Sequence, residues 1–269
     1  MEDLLYHYTS QDGLIGIIES KSIWASNIHY LNDSKEFQHA IDELKAIIYN
    51  RKKNQNNELI KKLYNSIEGS IGSFSRINIF VASLTEKGDQ LSQWRGYCQN
   101  GAGYSIGFSK SEIESLSNQQ GFTFKPCIYA VQQQRKLLTE PLERLEKKII
   151  SSSGDPELAI SCTSQFFSEF LQIAPLLKHR AFSEEQEWRL VSGIVSSTDN
   201  RWKTRSGSST LIPYFEFSLN NNDHSPIRNV IPGPGPNQEL TTNALMTLLT
   251  LNGVNEVSAS PSQIPYRTT

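Results

Sequence analysis

Charged side chains alternate along one short segment late in the chain. Glu185, Glu187 and Arg189 occupy every second position of Glu-Gln-Glu-Trp-Arg-Leu-Val, so on a strand all three would leave the same face. Neighbours on that face lie about 7 Å apart, a separation at which two carboxylates can act together on a glycosidic bond. The alternative is an edge strand with a solvated face and ordinary ion pairs, because such charges are costly to bury without partners.

Three shorter segments place polar or aromatic residues beside strands that should be apolar. A histidine lies inside the N-terminal strand, two hydroxyl residues end a buried strand, and an arginine lies between two aromatic residues. In chain order these are His7, Ser83, Thr85, Trp94, Arg95 and Tyr97. Each residue taken singly also fits a structural role, since lone histidines are often satisfied core residues and helix arginines often extend their charge to solvent.

A further segment combines cations with an aromatic ring. Arg201, Trp202, Lys203 and Arg205 fall within five residues, in a stretch predicted to be a loop between two strands. The bases of a single-stranded nucleic acid stack on such a ring while the phosphates meet the cations. We interpret the segment as a nucleic-acid-binding surface. The alternative is a solvated loop with a half-buried tryptophan.

The N-terminal third must supply the strand that carries the histidine. Alternation predicts a strand over Asp3–Tyr8, and Thr9 with Asp12 predicts the capping box of a short helix. A second strand is predicted at Ser22–Ser26. The strongest helical periodicity of the chain follows, capped by the Asp-Ser pair at 33–34.

The rest of the chain alternates between strands and helices. Strands are predicted at Ile77–Leu84, Gly103–Phe108, Phe122–Val131, Glu187–Val195, Thr210–Leu219, Ile227–Ile231 and Val254–Ala259. Ser109 and Glu112 predict a second capping box, and a late helix is predicted at Gln238–Leu251. These patterns predict an α+β fold: one domain over residues 1–269, with a mixed β-sheet core and a helical insertion at about 132–178.

The composition sets the class of protein. The chain has 269 residues, 37% of them hydrophobic, which is enough for a substantial core. Its 26 Lys and Arg against 28 Asp and Glu give a net charge of −2, which excludes a strongly basic scaffold of the histone type but not a local basic groove. Without a long apolar run, a basic signal region or a CxxC pair, the sequence predicts a soluble cytoplasmic protein with no membrane partner.

The order of these segments resembles a known family. His-Tyr-Thr on the first strand is followed by Leu-Asn-Asp at 31–33, Gly-Tyr-Ser-Ile-Gly-Phe from Gly103, Glu-x-Glu-Trp-Arg from Glu185 and a terminal Ile-Pro-Tyr-Arg. This order is similar to that of a widespread bacterial domain-of-unknown-function family, which is regarded as related to the ADP-ribosyltransferase fold and includes toxins and phage-defence effectors. The resemblance runs from Tyr6 to Arg267, and the helices at 132–178 match least.

The resemblance implies roles for particular residues. His7 matches the first-strand histidine that binds the ribose and diphosphate of NAD, and Glu187 matches the catalytic glutamate. Glu185 matches the upstream acid that orients or deprotonates the acceptor. Ser83 resembles the first serine of the middle-strand motif, although Ser-Leu-Thr replaces the full Ser-Thr-Ser. The middle position is therefore open between Ser83 and a tyrosine, for which the choices are Tyr30, Tyr97 and Tyr104.

The implied activity needs donors for the NAD diphosphate, and Arg95 and Arg189 are the predicted bidentate contacts. The complete predicted cofactor-binding set is His7, Tyr8, Thr9, Ser83, Trp94, Arg95, Tyr97 and Arg189. The acceptor-binding prediction is the set Arg201, Trp202, Lys203 and Arg205. No metal is required for this chemistry, in which the carboxylate stabilises an oxocarbenium-like transition state.

The expected function is thus an NAD-dependent mono-ADP-ribosyltransferase, a toxin or anti-phage effector that modifies a macromolecule. A nucleic-acid acceptor is favoured over a protein, and a cognate antitoxin or regulatory protein is an expected partner. The alternatives are an NAD hydrolase and a catalytically inactive binding module of the same fold. A metal-dependent nuclease ranks below them, because the lysine and further acid usual near such carboxylate pairs are missing.

Overall fold

The computed structural model describes residues 2–31, 35–72, 74, 77–97, 103–151, 156–207, 209–220 and 224–265. The strands are β1 (Leu4–Ser10), β2 (Ser22–Asn27), β3 (Phe80–Thr85), β4 (Gly103–Ser109), β5 (Thr123–Pro126), β6 (Glu187–Val191), β7 (Lys203–Ser206), β8 (Leu211–Ser218), β9 (Ile227–Pro232) and β10 (Ser258–Ala259). The helices are α1 (Gln11–Ser20), α2 (Lys35–Lys53), α3 (Glu58–Ile71), α4 (Leu91–Tyr97), α5 (Lys110–Gln120), α6 (Val131–Ser151), α7 (Pro156–Ile173) and α8 (Gln238–Leu251). The predicted α+β class with a large mixed sheet is confirmed.

Strand β3 is the branch point of the sheet. One edge of β3 pairs with β6 from Val81 to Thr85. The other edge is shared, because Phe80 and Val81 pair with β2 whereas Thr85 pairs with β1. Strands β1 and β2 therefore diverge on either side of residues 82–84. The sheet continues from β1 through β4, β9 and β10, and from β2 through β8 and β7, with β9 and β10 as its parallel pair among the described strands.

Helices cover both faces of this sheet, and the alternation along β3 shows which residues face each layer. Phe80, Ala82 and Leu84 belong to a core shared with α1, α5 and α8. Val81 lies in the opposite core, which is built mainly by α2, α3, α6 and α7. By strand alternation Ser83 and Thr85 lie on the same face as Val81. This face carries the polar cluster described below.

The predicted insertion at 132–178 corresponds to α6 and α7. These helices pack against each other, and α6 also packs against α2 and α3. Leu142 of α6 and Phe170 of α7 share one buried cluster with Leu44 of α2 and Ile67 of α3. The two helices thus complete the core of a four-helix layer rather than decorating a finished domain.

Several predicted boundaries are wrong in detail. The N-cap of α1 is Ser10, whose side chain accepts from the Gly13 amide, rather than Thr9. Ser109 precedes α5, but its hydroxyl bonds Ser111 and makes no cap bond. The predicted cap at 33–34 lies outside the described residues. The strand predicted over Phe122–Val131 stops at Pro126, because the segment that follows bends away to bridge Ile128 to Leu177.

No helix in the described part of the chain combines the length and the apolar character needed to cross a bilayer.

Candidate functional site

Strand β6 places two charged residues beside the hydroxyl residues of β3. Glu187 stands opposite Thr85, and Arg189 stands opposite Ser83. Directly opposed residues of an antiparallel pair project from the same face with Cβ atoms about 5 Å apart. The sequence-predicted residues Ser83, Glu187 and Arg189 are therefore brought together by strand pairing.

Buried ion pairs hold the carboxylate of Glu187. Its Oε1 accepts from Arg189 Nε at 2.7 Å, and its Oε2 accepts from Lys178 Nζ at 2.5 Å. Arg189 Nη2 is a further donor to Oε2 at 3.3 Å, and Arg189 Nη1 donates to the Pro175 carbonyl at 2.6 Å. Glu187, Arg189 and Lys178 are 5%, 3% and 4% exposed. The interior location of Arg189 makes it a partner of Glu187 rather than the predicted surface for a diphosphate.

Glu185 joins the same cluster by a route that strand alternation does not predict. It ends a 3₁₀ helix at Arg180–Glu185, and Gln186 then adopts a left-handed conformation with φ of 44°. Only Glu187 belongs to the strand, so the predicted shared strand face for the two acids is wrong. Their carboxylates nevertheless converge, because Lys178 Nζ donates to Glu185 Oε2 at 2.6 Å as well as to Glu187.

Lys178 was missed by the sequence analysis although it links both acids. It follows the buried apolar run 174–177, and a single lysine at the end of such a run is the signal that could have identified it. Its amide donates to the Ile128 carbonyl at 3.1 Å, and its own carbonyl accepts from Gln134 Nε2 at 2.8 Å. The start of α6 therefore fixes the backbone from which Lys178 extends. We call Lys178, Glu185, Glu187 and Arg189 the ion cluster.

The charges of the ion cluster keep Glu187 ionised. Burial by itself would raise the pKa of Glu187, but the charges and hydrogen bonds of Arg189 and Lys178 outweigh it and lower this pKa to about 2. The carboxylate is therefore a permanent negative charge at neutral pH and not a proton shuttle. Among the described residues, no three His, Cys, Asp or Glu side chains form a group that could hold a metal ion.

Two tyrosines border the ion cluster. The hydroxyl of Tyr129, another residue missed by the sequence analysis, accepts from the Glu187 amide at 3.0 Å. Tyr97, at the end of α4, is 44% exposed. Burial of its phenol, together with the negative charges of Glu187 and Glu185, raises the pKa of Tyr97 to about 12. Of the three tyrosines left open by the sequence, Tyr97 is thus the one whose pKa responds to the charges of both acids. Tyr104 is buried on β4, and Tyr30 lies in a 3₁₀ turn.

His7 approaches β3 from the opposite edge. Its Nδ1 lies 2.8 Å from the Ser83 carbonyl. A carbonyl oxygen only accepts, so Nδ1 carries the proton and Nε2 keeps a lone pair. Burial lowers the pKa of His7 more than the Ser83 bond raises it, and the positive charge of Arg205 lowers it further. The neutral ring suits a hydroxyl donor such as that of a ribose, and does not suit a phosphate oxygen.

Tyr8 and Trp94 form a buried pair instead of a ligand surface. Their rings meet edge to face at 4.7 Å, and both residues are about 5% exposed or less. The Tyr8 hydroxyl donates to the Lys87 carbonyl and accepts from the Gln90 amide, each at 2.9 Å. Trp94 Nε1 donates to Asp89 at 2.7 Å. Through these hydrogen bonds the buried pair holds the loop between β3 and α4 in place.

The other predicted cofactor contacts lie at the surface or on the neighbouring strand. Arg95 is exposed and forms no ion pair or hydrogen bond with the rest of the described chain. Thr9 pairs with Tyr104 in the β1–β4 ladder, and its hydroxyl lies where a side chain at Gly13 would have to be.

The predicted acceptor segment is not a free cationic loop. Residues 203–206 form β7, which pairs with β8. The Trp202 ring packs edge to face against Phe80 at 5.3 Å, with its indole nitrogen buried, so it is not an exposed stacking platform. Arg201 pairs with Asp199 at 2.6 Å, and Lys203 pairs with Glu216 at 2.7 Å. Arg205 lies on the side of His7.

Comparison with known proteins identifies one domain. Residues 93–190 match the model of a family described as a protein of unknown function, DUF2971. The match runs from α4 to β6 and includes the whole ion cluster, whereas His7 and Ser83 lie outside it. No curated protein and no solved structure matches the chain. The matched segment, 98 of the 269 residues, lies inside the region of resemblance, and the relation to ADP-ribosyltransferases stays a prediction.

Proposed function

We propose that the protein is an NAD-dependent mono-ADP-ribosyltransferase that uses NAD as co-substrate and modifies a macromolecule. The observation that carries the proposal is the position of β3 between two site residues. His7 bonds the Ser83 carbonyl at one edge of β3, and Glu187 stands opposite Thr85 at the other. Two strand spacings separate the backbones of His7 and Glu187 by roughly 10 Å. Tyr6 is the residue of β1 that stands opposite Thr85, and His7 reaches β3 through its ring contact with the Ser83 carbonyl.

Glu187 has the properties that the reaction requires of a carboxylate. When the bond between ribose C1′ and the nicotinamide nitrogen breaks, its electron pair leaves with neutral nicotinamide and positive charge develops on the ribose. A fixed, ionised carboxylate stabilises that charge more than it stabilises the ground state. Among the described residues, Oε1 of Glu187 accepts a hydrogen bond from Arg189 Nε only, so it has capacity for a ribose hydroxyl donor.

Glu185 and Tyr97 complete the site on its accessible side. The Glu185 side chain is 20% exposed against 6% for Glu187, which suits contact with an incoming acceptor. An acceptor atom that bonds C1′ loses its proton, and in this proposal the Glu185 carboxylate orients the acceptor and takes up that proton. The half-exposed ring of Tyr97 supplies an aromatic surface for nicotinamide. Water in the place of the acceptor would give NAD hydrolysis at the same site.

We infer a toxin or anti-phage effector as the biological setting, with a cognate antitoxin or regulatory protein as partner. The support is the order of motifs shared with a family that includes such proteins. A catalytically inactive module of the same fold is the competing function, and NAD turnover by purified protein separates the two.

Replacing Glu187 tests the mechanism. We expect Glu187→Gln to lower nicotinamide release from NAD by roughly 10²- to 10³-fold, the loss typical of removing a charge that stabilises a transition state. The same variant leaves Lys178 and Arg189 with less negative charge and is expected to lose stability. Glu187→Asp keeps the charge but shortens the side chain by one methylene, so the carboxylate no longer reaches the ribose. We expect it to lose turnover while losing less stability than Glu187→Gln.

Glu184→Gln is the matched control, because Glu184 is exposed and lies three residues before Glu187. Turnover is measured below the melting temperature of each variant. A folded Glu187→Gln protein with wild-type nicotinamide release would contradict the mechanism, and wild-type protein that releases none would favour the inactive module.

A further inference from the structure

A half-buried arginine that has no carboxylate partner among the described residues lies beside His7. Arg205 Nη2 donates to the Ser26 hydroxyl at 3.1 Å, and Ser26 is itself only 6% exposed. No other described residue bonds the Arg205 side chain. A guanidinium has five N–H donors, so most of its donor capacity is unused.

This arrangement sets Arg205 apart from the comparable arginines. The buried or half-buried arginines elsewhere in the described chain all pair with carboxylates. These are Arg51 with Glu143 and Glu146, Arg189 with Glu187, and Arg228 with Glu2 and Glu112. Partial desolvation of a cation is costly unless an anion compensates it. Burial accordingly lowers the pKa of Arg205.

Two independent contacts place Arg205 and His7 at the same gap in the sheet. Ser26, the partner of Arg205, stands opposite Val81 in the β2–β3 pair. His7 bonds the carbonyl of Ser83, two residues further along the same edge of β3. Two residues along a strand correspond to about 7 Å. Ser26, which bonds Arg205, and the Ser83 carbonyl, which bonds His7, therefore lie on either side of the place where β1 and β2 diverge.

We propose that Arg205 and His7 form one nucleotide subsite, in which Arg205 binds the diphosphate and His7 accepts a hydrogen bond from a ribose hydroxyl. The chemistry of the two groups is complementary to such a ligand. A guanidinium offers bidentate donors to phosphate oxygens, whereas a neutral imidazole nitrogen offers an acceptor to a hydroxyl. This inference rests on the proposed function and replaces Arg95 and Arg189 as the predicted diphosphate contacts.

Calorimetric titration with ADP-ribose and with adenosine tests the subsite without requiring NAD cleavage. We expect Arg205→Ala to weaken ADP-ribose binding roughly 10- to 100-fold, as expected for the loss of charged hydrogen bonds, and to leave adenosine binding unchanged. Arg205→Lys keeps the charge without the bidentate geometry and should fall between wild type and Arg205→Ala. Arg135→Ala is the control, since Arg135 is an exposed arginine of α6.

The two ligands separate a phosphate contact from a structural role. Wild-type ADP-ribose affinity in Arg205→Ala would overturn the subsite, as would equal losses for ADP-ribose and adenosine. Wild-type protein that binds no ADP-ribose would overturn it as well. Binding of ADP-ribose that depends on Arg205, in a protein that releases no nicotinamide from NAD, would support the subsite while contradicting the proposed function.

Discussion

The carboxylate of Glu187 is buried and forms ion pairs with two cations. Lys178 and Arg189 supply three donors to it, and the whole ion cluster carries two positive and two negative charges. Burying such charges singly would be prohibitive, and their mutual pairing is what makes the site stable. At the scale of the residue, the structure therefore favours a fixed electrostatic role for Glu187 over proton transfer.

Acid titration tests how far the ion cluster stabilises the fold. The pKa of Glu187 falls from its ordinary 4.5 to about 2 on folding, so its contribution is fully present above pH 4.5 and is lost as the pH falls toward 2. That shift corresponds to a contribution on the order of 3 kcal/mol. We expect the difference in free energy of unfolding between wild type and Glu187→Gln to shrink across this pH range in urea titrations.

In the same titrations Glu184→Gln is the control, because Glu184 is exposed, and its stability should differ from that of wild type by less than about 0.5 kcal/mol. A gap between wild type and Glu187→Gln that stayed constant over that pH range would show that Glu187 titrates with an ordinary pKa and is not held by the two cations.

Strand β3 and the start of α6 are the elements that assemble the site. Strand β3 lies between His7 at one of its edges and Glu187 at the other, and α6 holds the backbone of Lys178 through Gln134. Gln134 is 1% exposed, and its side-chain Nε2 donates to the backbone carbonyls of both Ile128 and Lys178. An interior glutamine with these partners links a helix to two separate loops.

Replacing Gln134 tests this link. Gln134→Leu keeps the side-chain size but leaves the Lys178 carbonyl without its side-chain donor, so we expect a loss of about 1–3 kcal/mol in the free energy of unfolding. Gln133→Leu, at an exposed position of the same helix, is the control and should change stability by less than about 0.5 kcal/mol. Equal stabilities of the two variants by urea denaturation would show that Gln134 does not anchor α6.

The whole molecule is a sheet covered by helical layers on both faces, with a net charge of −2. That charge gives no general attraction for a polyanion, and the predicted cationic segment has Arg201 and Lys203 paired with acids. A nucleic-acid acceptor, which the sequence suggests through the segment 201–205, therefore stays a prediction from the sequence.

Labelling with radioactive NAD in total cell extract identifies the acceptor class. We expect macromolecular label that disappears with nuclease and survives protease, if the favoured nucleic-acid acceptor is right. Label that disappears only with protease would contradict it. Glu187→Gln protein serves as the background, and nicotinamide release without any macromolecular label would favour NAD hydrolysis.

The sequence by itself determined most of the order of strands and helices, with β7 as an exception, because alternation and helical periodicity record which faces are buried. It also identified Glu187 and Arg189 as charged residues of one strand face. It did not determine the position of Glu185, since the left-handed Gln186 interrupts the alternation. Nor could it bring Lys178, nine residues from Glu187, into the site, or place Arg205 near His7. Those contacts depend on strand pairing and helix packing between distant segments, and local periodicity carries no information on which segments become neighbours.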